Sequence, residues 1–147
     1  MKIETNFWLD TSDTNQKLRQ AKQETNNVFR ICIFSDTQNE LDREVPDLRE
    51  QGYVVKTFSN ARAISATSDL PDLFILNFSS SEIHQFELVE QIRRKSCRVG
   101  ILLVLSVENQ DDRVRAFMSG ADNYILRPYE VEELLAIVGS LKRRLHE

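Results

Sequence analysis

Four polar positions stand where apolar runs of the chain stop. Ser35 and Asp36 follow "VFRICIF", Asn77 closes "DLFIL", Ser106 closes "VGILLVL", and Arg127 with Pro128 follows "NYIL". Brought together, these side chains offer one carboxylate, one amide, hydroxyls and one guanidinium. A hard cation such as magnesium wants several carboxylate oxygens, and only Asp36 supplies any. Acyl-phosphate chemistry needs a carboxylate nucleophile, and the Asn77 amide cannot act as one. His84 and His146 are isolated. No nucleophile is paired with a base, and there is no Gly-rich phosphate loop. The expectation is a non-enzyme with no catalytic residue, no metal site and no cofactor.

The elements that would bring these positions together can be read from the pattern. "VFRICIF" (28–34), "YVVKTF" (53–58), "DLFILNF" (72–78), "VGILLVLS" (99–106) and "NYIL" (123–126) are short apolar, β-branched runs of strand type. The third and fourth are continuous rather than alternating, as in central parallel strands buried on both faces. Between them lie helical stretches at 37–52, 60–68, 86–95, 109–120 and 130–145. The first contains Pro46, which removes a backbone donor, so a kink or a late helix start is expected there. Gly52 and Gly120 are stop signals. The stretch at 130–145 is acidic at its start and basic at its end, which suits the helix dipole. Five strand–helix units predict an α/β fold, a doubly wound parallel sheet covered on both faces. In such sheets function sits beyond the carboxyl ends of the strands, where the four polar positions fall.

Composition bounds the rest. A chain of 147 residues, 41% hydrophobic and 29% charged, suits one soluble domain with one core. The net charge of −4 argues against a nucleic-acid-binding surface over the whole chain, and Lys142, Arg143 and Arg144 are too few to read DNA alone. No run is long enough to span a membrane and no secretory signal opens the chain, so a cytoplasmic protein with no membrane partner is expected. Cys32 and Cys97 fit no metal spacing and read as reduced structural thiols. Residues 1–28 are polar and read as a mobile arm, with a short helix expected over 16–26. The apolar island Phe7-Trp8-Leu9 in the arm either folds back or docks on a partner. Residues 29–147 form the predicted domain.

Residues 29 to about 145 resemble a response-regulator receiver domain, and "DRVRAFMSGADNYILRPYEVEELL" is most similar to the winged-helix, OmpR-like class. The resemblance implies a flavodoxin-like (βα)5 sheet with strand order 2-1-3-4-5. It puts the acidic pair that holds magnesium on Ser35 and Asp36, and the phosphoacceptor aspartate on Asn77. The switch hydroxyl falls on Ser106, the switch aromatic on Tyr124, and the invariant lysine on Arg127. The proline and glycine usual after the phosphoacceptor fall on Ser81 and Gln85. With one acid and the nucleophile gone, the chain reads as an atypical pseudo-receiver that aspartyl phosphate does not switch. Replacing lysine with arginine keeps a cation but changes its shape and donors. Two readings of the cluster stay open. It is a remnant whose polar groups satisfy one another, or Asn77, Asp36 and Arg127 lock one conformation without modification.

The same resemblance implies a dimer through the face made by the fourth helix, fifth strand and fifth helix. Its charge pairs fall on Arg113 with Glu133 and Asp122 with Arg144, while a third falls on Asn123 and Ile137, where both charges are missing. In this class a linker and a DNA-binding domain usually follow such a receiver, so the sequence is expected to be either the receiver part of a longer regulator or a stand-alone interaction domain. The first expectation is therefore a homodimerising receiver of a transcriptional regulator, independent of phosphorylation. The rivals are a protein-binding module that uses the 108–130 region or the arm, and a small-ligand sensor that uses the pocket by Asn77, Ser106 and Arg127.

Overall fold

The computed structural model describes residues 28–36, 43–78, 84–105 and 110–145. The expected arm, its 16–26 helix and the Phe7-Trp8-Leu9 island lie outside them. Five strands form one all-parallel sheet: β1 (Arg30–Ser35), β2 (Val54–Phe58), β3 (Leu73–Asn77), β4 (Gly100–Leu105) and β5 (Asn123–Leu126). Their order is β2-β1-β3-β4-β5, as the resemblance implied. The helices are α1 (Glu44–Glu50), α2 (Ala61–Ala66), α3 (His84–Lys95), α4 (Gln110–Ser119) and α5 (Val131–Leu145).

Why the central strands are apolar throughout follows from their two-residue period. Phe74 and Leu76 of β3 point to one face, with Ile101, Leu103 and Leu105 of β4, into a core roofed by Ile64, Val89 and Ile92. Leu73 and Ile75, with Leu102 and Val104, point to the other face, under Leu48, Leu134 and Val138. Each face has its own helical layer, so no position between the ends of the central strands β3 and β4 can be polar without burying an unpaired group. The sheet can end only where the side chains turn polar, which is how the candidate residues come to stand in a row.

The helix boundaries obey the local signals. Pro46 lies in the first turn of α1, where its missing N–H has no intrahelical acceptor to lose. Gly52, at φ 94°, follows α1, and the N–H groups of Gly52 and Tyr53 close back on the carbonyls of Arg49 and Leu48. The Asn60 side chain caps α2 by accepting from the Arg62 N–H at 2.9 Å. Among the described residues no helix is long and apolar enough to cross a membrane.

Candidate functional site

The carboxyl ends of β1 and β3 are in register, with Ser35 opposite Asn77. Both are buried, at 9% and 1% exposure, while the following Asp36 is exposed. The Asp36 N–H donates to the Asn77 carbonyl at 3.4 Å, which extends the β1–β3 ladder by one weak step. From the far side of β4, Arg127 reaches the same point: its N–H donates to the Leu105 carbonyl at 2.8 Å, and its Nη2 donates to the Phe78 carbonyl at 2.7 Å. The Phe78 ring packs on Phe34 with 4.8 Å between centroids, which fixes the carbonyl that Arg127 holds. The fold thus assembles Ser35, Asp36, Asn77 and Arg127 at one spot. Ser106 and residues 79–83, including Ser81, lie outside the described residues.

Buried polar side chains complete this end of the molecule. Asn77 Oδ1 and Gln85 Nε2 have no hydrogen-bond partner among the described residues, and Gln85 is 1% exposed in the first turn of α3. Glu44, on the first turn of α1, is also buried, and its Oε2 lies 3.7 Å from Arg43. The resemblance marked Gln85 as standing where a glycine is usual but gave no sign of its burial, and no sequence signal separated Glu44 from the solvated polar positions of its helix.

The edge strand β5 carries the second group of candidates, between α4 and α5. Tyr124 is half-buried, and its ring meets Phe117 of α4 edge-on at 5.6 Å. Arg113 is partly exposed on α4 and Glu133 is exposed in the first turn of α5. Asn123 Oδ1 accepts from the Tyr124 N–H at 2.8 Å, and Ile137 is half-buried against the α1–α5 core. Asp122 has partners within its own chain: Oδ2 accepts from Arg93 Nη2 and from the Ile101 N–H, both at 2.8 Å, and Oδ1 lies 3.9 Å from Arg144 Nη2. Arg93 was not singled out from the sequence, yet it is the residue that fixes this corner. Its other donors close on the carbonyls of Gly120 at 2.8 Å, of Ser96 at 3.4 Å, and of Val99.

A family model for the response regulator receiver domain matches residues 31–139. The chain belongs to that family. It is 32% identical over 120 residues to the response regulator ArlR of Staphylococcus epidermidis, covering 80% of this chain and 54% of that protein. It is 33% identical over 119 residues to RpaA of Synechocystis, described as a DNA-binding dual master transcriptional regulator, covering 78% of this chain and 49% of that protein. The receiver thus spans about half the length of these curated relatives. Among solved structures it is similar to a CheY-like receiver domain protein from Methanospirillum hungatei (TM-score 0.69, 23% identity, covering 79% of this chain and 95% of that one). It is also similar to DrrB, a Thermotoga maritima OmpR/PhoB homolog (TM-score 0.71, 22% identity, covering 80% of this chain and 54% of that one). These two likenesses concern the fold.

Receivers of this family are associated with magnesium, and the donors present here do not fit it. Among the described residues at the ends of β1 and β3, Asp36 gives a carboxylate, Ser35 a hydroxyl and Asn77 a neutral amide oxygen. That set lacks the charge that makes a hard dication shed water. Among the described residues no group of three or more His, Cys, Asp or Glu side chains could hold a metal ion.

Proposed function

We propose that this receiver domain is a cytoplasmic module of a transcriptional regulator, not switched by aspartyl phosphate, that pairs with a second copy of itself through the α4–β5–α5 face. The observation that carries the first half is the buried, in-register pair Ser35–Asn77. Both are neutral at the positions where the resemblance puts an acid and the phosphoacceptor. A carboxamide is neutral and its nitrogen lone pair is delocalised into the carbonyl, so it is too weak a nucleophile to attack phosphorus as a carboxylate does, and the pocket retains the shape of the site without its nucleophile. No enzymatic step is assigned to it. The regulator role rests on curated relatives such as RpaA, described as a transcriptional regulator, of whose length the matched region is about half. DNA contact would belong to a further domain.

Support for pairing comes from opposite charges on the two helices that flank the edge strand, Arg113 on α4 and Glu133 on α5. A two-fold axis places each over the other, so the pair occurs twice in one interface. Two measurements test the proposal. Acetyl phosphate leaves the intact mass unchanged, and the gain of a phosphoryl group would overturn the first half. Light scattering without any phosphodonor finds a dimer that Arg113→Glu abolishes. A monomer at every concentration would overturn the second half.

A further inference from the structure

α4 meets the sheet through one face and leaves a second, apolar face uncovered. Ala116 is buried where the helix packs on the sheet. Val114, Phe117 and Met118, spaced i, i+3 and i+4, share the other face and are 49%, 49% and 81% exposed. They are the exposed large hydrophobic side chains among the described residues, and all three stand on this one helix. Scattered exposed hydrophobics are ordinary, but three on one helix face form a docking surface. Phe117 is already held edge-on against Tyr124, so covering its outer side orders little that is not ordered.

The sequence supplies a segment of matching character. Within residues 1–27, which lie outside the described residues, Phe7-Trp8-Leu9 is the only run of three apolar residues. Asp10 and Asp13 follow that run, while Arg113 and Arg115 flank Val114 on α4. Exposed charge pairs add little affinity, but they set the direction in which a segment lies. The span is also within reach. Parallel neighbours β4 and β5 require α4 to run back against them, so Phe117 and Met118, near its end, lie toward the edge where the strands begin. β1 begins on that same edge at Arg30, shortly after the arm. From β1 to β5 is three strand spacings, about 14 Å. A flexible linker as long as residues 10–27 has an r.m.s. span of about 23 Å. Tethering therefore presents Trp8 to the face at an effective concentration on the order of millimolar, where a contact too weak to hold a free peptide is still occupied.

We propose that Phe7-Trp8-Leu9 docks on the Val114, Phe117 and Met118 face of its own chain. Resting on the pairing proposed above, the arm then regulates that pairing. A docked arm and a second copy need the same face, so the arm sets the fraction of the protein that is free to pair.

Trp8 is the only tryptophan of the chain, so its fluorescence reports on the arm alone. In the full chain Trp8 is expected to be quenched by acrylamide less than in the urea-unfolded chain, and equally at every protein concentration. Met118→Glu is expected to raise the quenching to the unfolded value. Met118 lies outside both cores, so that variant keeps the helical circular dichroism of the native chain. Trp8 quenched as freely in the native as in the unfolded chain overturns the docking. Protection that Met118→Glu leaves intact overturns it too, because the island then lies elsewhere. Protection found only where light scattering detects dimers places the arm between copies, and this also overturns it. The regulatory step is read separately by sedimentation equilibrium, in which Trp8→Ala is expected to tighten the dimer by about tenfold. An unchanged or weaker dimer overturns the competition while the docking and the pairing stand. A Trp8→Ala chain that stays monomeric overturns the pairing while the docking stands.

Discussion

Asparagine has the shape of aspartate with neither its charge nor its proton chemistry, so Asn77 fits the end of β3 as an aspartate would and, on the proposed reading, removes the nucleophile. The Asn77 side chain is 1% exposed and its Oδ1 lacks a partner among the described residues, so the site sits at the edge of what a buried polar group tolerates. Carboxylates placed there would raise the demand further. Ser35→Asp with Asn77→Asp crowds three acids with Asp36, and each buried, unbalanced group costs about 1–3 kcal/mol. The double variant is therefore expected to melt at a lower temperature than the native chain in metal-free buffer. Millimolar magnesium is expected to restore much of the loss, because the donor set then has the charge a hard cation requires. Differential scanning fluorimetry with and without magnesium reads both effects. Magnesium should leave the native chain's melting temperature unmoved, and a native shift as large as the variant's would show that Asp36 alone suffices.

Elements explain which of these features the sequence could show. The interior strands β1, β3 and β4 were legible because both faces of the sheet are buried there, which forces apolar runs that end at polar residues, while the edge strands β2 and β5 showed as short β-branched or aromatic runs; Asn77 and Arg127 were found by reading strand ends. Arg93 was not legible. Arg93, Arg94 and Lys95 all lie in the last turn of α3 and are alike in type. Which one turns inward is decided 27 residues away, at Gly120. That glycine, at φ 119°, ends α4, and a Cβ on it would lie 2.7 Å from Arg93 Cγ. The N–H groups of Gly120 and Ala121 close back on the carbonyls of Phe117 and Ala116. The stop signal was visible, but its second use as the space Arg93 occupies was not. Gly139 is the contrasting case. It lies inside α5, and a Cβ added there would meet only the end of the Arg143 side chain, at 3.9 Å. Gly139→Ala is therefore expected to stabilise the domain by about 0.5–1 kcal/mol through the entropy of the unfolded chain, seen as a higher urea midpoint at unchanged slope. A lower midpoint would mean that α5 needs a flexible point there.

At the scale of the whole molecule, two cores share one sheet. Each strand of the interior contributes alternate side chains to the α2–α4 layer and to the α1–α5 layer. Neither layer can leave without exposing one full face of the same strands, so the two should unfold together. Cys32 reports on one layer by itself. It points into the α2–α4 core, is 1% exposed, and burial pushes its thiol far above the ordinary cysteine range. It is therefore un-ionised and out of reach in the native state. Cys97 is exposed and is expected to react first. A thiol reagent is expected to label one site per native chain and two in denaturant. In a urea series the appearance of the second label should follow the loss of helical circular dichroism with the same midpoint. The test discriminates because the signals have different origins: the dichroism averages all five helices, whereas Cys32 responds to the opening of one face of the sheet. Labelling at a lower urea concentration than the dichroism would mean that α2, α3 and α4 detach as a unit. The α4–β5–α5 face would then be divided between a stable half and a labile half, and pairing of copies would itself be a source of stability.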